Sequence, residues 1–161
     1  MSPVEKTVLD GLNMGIEQEL AAYVFYKKSM EMTDDEKISE LLGKLAREEK
    51  DHFRILEGQY DSLVRSEMWN TINDVMRREG LPDIDEKMAN VHHELIDEVN
   101  ESTSPMRILE IALILEKQAR DLYTDLAAKV EDPKGKDMYE YLSKFENGHV
   151  IKIKKMMEDY K

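Results

Sequence analysis

Two Glu-x-x-His pairs stand in this chain, Glu49 with His52 and Glu146 with His149. Each follows a glutamate that lies seven residues ahead of a tyrosine: Glu19 with Tyr26, then Glu116 with Tyr123. The second set repeats the first 97 residues later, in the same order and with the same internal spacing. No other E-x6-Y or E-x2-H occurs in the 161 residues. Glutamate is common here, with 21 copies, so one match means little; four in order mark a duplicated helical hairpin. On a helix, side chains three apart project from one face, so the Glu and His of each pair point the same way.

The spacing also sets the heights of these groups. Glu19 and Glu49 lie 30 residues apart, as do Glu116 and Glu146, and the midpoints are Asp34 and Glu131. In each hairpin the chain climbs about 20 Å from carboxylate to turn and returns the same distance. Facing helices then present Glu19, Glu49, His52, Glu116, Glu146 and His149 in one layer. One carboxylate from each of two helices plus Glu-x-x-His from each of two others is a di-iron or di-manganese arrangement. Four carboxylates balance two divalent ions, and imidazole with carboxylate suits iron or manganese better than magnesium. The expected cofactor is two iron ions, with manganese or a mixed pair as the alternative. Tyr26 and Tyr123 sit almost two turns after a ligand Glu, on its face. The backward tilt of helical side chains aims each phenol at the layer, where it would hydrogen-bond a ligand carboxylate across the bundle. The plainer alternative is two core aromatics.

Four long helices must position these groups. Ser2–Pro3 opens the first, expected to reach Met32, and Thr33 with Glu36 forms a capping box for the second, expected to end near Tyr60. Ser104–Pro105 opens the third, and Asp132–Pro133 ends it and starts the fourth. Apolar stripes at helical spacing run through Ile38, Leu42, Leu45 and Leu56, through Ile108, Ile111, Leu115 and Ala119, and through Met138, Leu142, Phe145 and Ile153. The Glu and His residues fall inside these stripes, where a charge must be paired or metal-bound. Glu48, beside Glu49, is expected to face solvent. The segment 61–103 is longer than a crossing requires, so helices are expected around Ser62–Glu79 and Ile84–Asn100, divided by Gly80-Leu81-Pro82. His92 and His93 have no partner motif and read as solvated or interface histidines. The expected organisation is one all-α domain over 1–161: hairpin 2–60, crossover 61–103, hairpin 104–161.

Composition narrows the partners. Charged residues make up 36% and only seven Gly and four Pro occur, which suits long amphipathic helices. A net charge of −12 argues against nucleic acid and anionic membranes. With no cysteine, thiolate zinc and cysteine-ligated iron–sulfur centres are excluded. No apolar signal core or spanning run is present, so a cytoplasmic location is expected. Leu63, Val64, Met68, Trp69, Ile72 and Met76 suggest a second buried face and a homodimer.

The ordered motifs resemble the ferritin-like superfamily, most closely its rubrerythrin-type branch of di-iron carboxylate proteins. The resemblance covers both hairpins and implies a four-helix bundle with one long crossover between the second and third helices. Rubrerythrins proper also carry a cysteine-bound iron domain, and these 161 residues offer no cysteine for one. Leu113 stands where they have a further glutamate one turn before the third-helix ligand. The implied site is therefore a symmetric one with six ligands. The resemblance suggests reduction of hydrogen peroxide, or O2, with electrons from an external donor protein such as a rubredoxin. The alternative is a ferroxidase handling iron as ferritins do. A non-catalytic module with a structural ion, manganese catalase chemistry and small-substrate oxygenation carry less weight.

Overall fold

The computed structural model describes residues 6–77 and 94–161. They form six α-helices and no strand: α1 (Lys6–Met32), α2 (Glu36–Ser66), α3 (Ile72–Arg77), α4 (Glu94–Glu98), α5 (Pro105–Lys129) and α6 (Pro133–Glu158). The Ser2–Pro3 cap, the Gly80-Leu81-Pro82 break, His92 and His93 lie outside the described residues. The architecture is an all-α, ferritin-like bundle. Its most extensive contacts are within the hairpins α1–α2 and α5–α6, followed by α1 against α5. None of the helices among the described residues is long and apolar enough to cross a membrane.

The helix ends follow local chemistry. Ser104 accepts a hydrogen bond from the Arg107 N–H at 3.1 Å and Asp132 from Lys134 N–H at 2.9 Å, each with Pro in the first turn. The cap of α2 is Asp35, not Thr33: its Oδ1 accepts from Ile38 N–H at 3.0 Å. Thr33 cannot open the new helix, because its own N–H still donates to Ser29 O at 3.0 Å as the last rung of α1. Its hydroxyl instead accepts from Asp35 N–H at 3.2 Å and tightens the turn.

The second helix also runs past Tyr60 to Ser66, taking the start of the expected 62–79 helix with it. No Gly or Pro interrupts residues 60–66, and Leu63, 2% exposed, extends the buried stripe. Glu67 stops the helix in the left-handed region (φ 58), its N–H returning to Leu63 O at 3.0 Å. Asn70 then folds the chain back on α2: its N–H donates to Gln59 Oε1 at 3.0 Å, while Gln59 Nε2 donates to Asn70 O at 2.7 Å. Ser62 Oγ donates to Met68 O at 2.7 Å. These bonds seat Trp69 inside, whereas Val64, Met68 and Met76 remain exposed. At the far end of the crossover, Lys28 on α1 donates to Ile96 O at 2.9 Å and Arg107 on α5 clasps Glu98 with both Nε and Nη2. The crossover is thus tied to both hairpins it joins.

Candidate metal centre

The core stripes bring six ionisable side chains to one level. Glu19 projects from α1, Glu49 and His52 from α2, Glu116 from α5, and Glu146 and His149 from α6, each no more than 1% exposed. Glu19, Glu49, His52 and Glu146 offer ligand atoms within 4.8 Å of one another, and so do Glu49, Glu116, Glu146 and His149. Glu49 and Glu146 belong to both groups. His52 Nδ1 lies 2.7 Å from Glu146 Oε1, and His149 Nδ1 lies 3.0 Å from Glu49 Oε1. Tyr26 donates across the bundle to Glu116 Oε1, and Tyr123 donates to Glu19 Oε1. Every one of these contacts has its counterpart at the 97-residue offset, so the inner layer is two-fold symmetric.

Residues 107–161, the α5–α6 hairpin with Glu116, Glu146 and His149, match the family model described as Rubrerythrin. This hairpin is similar to the rubrerythrin family. The α1–α2 hairpin lies outside that match, but repeats its ligand motif and packs in the same layer. A solved structure of a hypothetical protein from Pyrococcus furiosus superposes with a TM-score of 0.66 at 23% identity, covering 98% of this chain and 95% of that one. At that identity the likeness is one of fold. No curated protein matches the sequence.

The bundle tests well for metal on its own atoms. Glu19 Oε2, Glu116 Oε2, Glu49 Oε1 and His52 Nε2 are buried without a hydrogen-bond partner. For Glu49 Oε1 the neighbouring His149 nitrogen is close enough at 3.0 Å but not aligned to donate. Buried polar atoms are nearly always satisfied, and a divalent cation would satisfy the carboxylate oxygens among these. The histidine nitrogens turned into the layer are both Nδ1, and both lie among carboxylate oxygens.

Without an ion, protons take over part of its electrostatic role. Burial opposes a charge on His52 and His149, yet hydrogen bonds and the charges of Glu146, Glu49 and Glu116 raise both imidazoles well above their ordinary range. Burial, then Glu49 and Glu146, push Glu116 well above the carboxylate range. Glu146 is also buried, but hydrogen bonds from Glu116, His149 and His52 hold it well below that range. Of these two coupled carboxylates, Glu116 is the one that favours its protonated form. Burial likewise raises both phenols, with the negative charges of the layer adding to it, so Tyr26 and Tyr123 stay protonated donors.

One participant escapes a reading of the sequence. Glu48 is only partly turned to solvent: its side chain is 20% exposed and its Oε2 lies 2.5 Å from His149 Nε2. With Nε2–H donated to Glu48, Nδ1 is the nitrogen whose lone pair is free to face the layer. The signal was present, because the 97-residue offset pairs Glu48 with Phe145, and Phe145 lies in the apolar stripe of α6. Its ring stands edge-on to His52 at 4.5 Å between centroids. The expected symmetry thus holds for the inner layer and fails outside it. Phe145 stands edge-on to His149 as well, at 5.2 Å, but only His149 is backed by a carboxylate.

Proposed function

We propose that this layer holds two iron ions and that the protein is a di-iron redox enzyme reducing hydrogen peroxide, or O2, with electrons from an external donor protein. The observation that carries this reading is the pair of four-residue groups that share Glu49 and Glu146. Glu19 and His52 would complete one ion's protein ligands, and Glu116 and His149 the other's. Four carboxylates and two neutral imidazoles then cancel two divalent charges, leaving the buried cluster neutral. Bound iron would supply two one-electron reductants side by side and a Lewis acid for the O–O bond.

The chain's own groups supply position and protons. Glu49 and Glu146, held from opposite hairpins, fix the spacing of the two halves. Tyr26 and Tyr123 orient Glu116 and Glu19 by donating to one oxygen of each, leaving the other free for a metal. Packing of the layer among residues such as Leu45, Leu115 and Leu142, none of them exposed, excludes bulk water. We place the protein in the cytoplasm, as a homodimer served by a rubredoxin-like donor.

Stopped-flow absorbance on anaerobically Fe(II)-loaded protein, mixed separately with peroxide and with O2, tests the reaction. Faster oxidation by peroxide, reversed on re-reduction, is the expected result. Faster oxidation by O2 with repeated uptake of added Fe(II) would replace peroxide reduction with iron handling of the ferritin kind.

A further inference from the structure

The two tyrosines that touch the layer have different surroundings. Tyr26 has its ring contact with Phe25, centroids 5.4 Å apart, and the repeat places Leu42 where the other half has Tyr139. Phenylalanine and leucine offer no oxidisable group, so contact from Tyr26 ends inside the core. Tyr123 stacks on Tyr139 with centroids 6.2 Å apart and planes 22° apart. Tyr139 in turn meets Trp69 at 6.2 Å, edge to face. Trp69 and Tyr139 line a surface cleft of about 140 Å³ with Thr7, Val8, Leu126 and Lys129.

This arrangement is held from several sides. The Gln59–Asn70 and Ser62–Met68 hydrogen bonds fix the turn that carries Trp69. Gly135, in the first turn of α6, makes room for the indole: a Cβ there would lie 3.0 Å from its Cε2 and Cζ2. Trp69 is the only tryptophan of the chain and belongs to the crossover, which has no counterpart in the repeat.

We propose that Tyr123, Tyr139 and Trp69 form a relay for single electrons between the carboxylate layer and the surface cleft, on one side of the bundle only. A one-electron oxidant at the cleft takes an electron from the Trp69 indole, and the indole N–H proton goes to solvent. An electron then moves from Tyr123 through Tyr139 to the indolyl radical. The Tyr123 phenol proton passes along its existing hydrogen bond to Glu19 Oε1. The indole regains a proton from solvent, so the tyrosyl radical and a protonated Glu19 balance the restored tryptophan. The relay deepens the proposed redox function by naming the place on the surface where single electrons are exchanged with an external partner, and rests on that reading for its use in the cell.

The test needs neither iron nor peroxide, so its failure is distinct from failure of the proposed activity. Azidyl radicals generated by pulse radiolysis oxidise Trp69 in the full-length protein, with redox-inert zinc(II) supplied to the layer. Decay of the indolyl absorption should match growth of tyrosyl absorption, at a rate independent of protein concentration. Tyr139→Phe should abolish this transfer, and Tyr123→Phe should remove the long-lived tyrosyl signal. Tyr26→Phe should change neither. Tyr139→Phe deletes one hydroxyl with no hydrogen bond among the described residues, and unchanged Trp69 fluorescence would show that the packing survives. Transfer that persists in Tyr139→Phe, or falls equally in Tyr26→Phe, would overturn the relay.

Discussion

At the scale of single residues, the two imidazoles of the layer are equal in their inner contacts and unequal behind. Nε2 of His149 faces the Glu48 carboxylate, whereas Nε2 of His52 is buried without a partner. A carboxylate behind a ligating imidazole fixes its tautomer and raises its basicity, and losing such a group typically costs about 10- to 100-fold in metal affinity. Glu48→Ala should therefore weaken one of two Fe(II)-binding steps in an anaerobic titration by about that factor and spare the other. Equal weakening of both steps, or of neither, would contradict this role. Protons give a second expectation. His52, His149 and Glu116 all hold protons more tightly than usual in the metal-free layer, and each must release one to a metal. Metal affinity should rise with pH between about 6 and 8, and calorimetry in buffers of different ionisation enthalpy should show proton release. An affinity flat across that range would mean that the ions bind elsewhere.

At the scale of helices, the caps that were legible were those whose chemistry is local. Ser104–Pro105 and Asp132–Pro133 need only their own turn, and they open α5 and α6 as the sequence indicates. Thr33 satisfies a capping pattern on paper, but the cap falls at Asp35 because α1 still claims the Thr33 N–H. The far end of α2 leaves no local mark for a similar reason: the helix stops at Glu67, a residue that carries no conventional stop signal. Gly148, between Glu146 and His149 in the sequence of α6, invites a close-packing explanation that the structure does not support. A Cβ added there meets nothing within 4 Å. Mid-helix Gly is about 1 kcal/mol less favourable than Ala. Gly148→Ala should thus stabilise the protein by about 1 kcal/mol, raising the thermal midpoint by roughly 2–4 °C at this chain length. A lowered midpoint would show that the glycine has a structural task.

At the scale of the whole molecule, the chain is a two-fold repeat at its centre and asymmetric around it. Gln18 donates to Leu115 O at 3.3 Å, and these two residues are each other's counterparts at the 97-residue offset, so the local axis passes between α1 and α5 there. The crossed Tyr26–Glu116 and Tyr123–Glu19 bonds follow from that axis. Periodicity and offset were enough to place the six layer residues together, because helix geometry fixes height and face once the turns are known. They were not enough for Glu48 or Trp69. Glu48 reaches the layer through a contact between helices, and Trp69 through a turn held by Gln59 and Ser62, neither of which leaves a periodic trace.

The account turns on one claim, that six side chains from four helices make a single site for two ions. Plasma mass spectrometry of iron-loaded, desalted protein tests it most directly, on the unaltered chain beside Glu49→Ala and Glu19→Ala. Because Glu49 belongs to both ligand groups and Glu19 to one, the account predicts two ions per chain in the unaltered protein, loss of both in Glu49→Ala and retention of about one in Glu19→Ala. One ion or none in the unaltered chain, or two retained without Glu49, would contradict it.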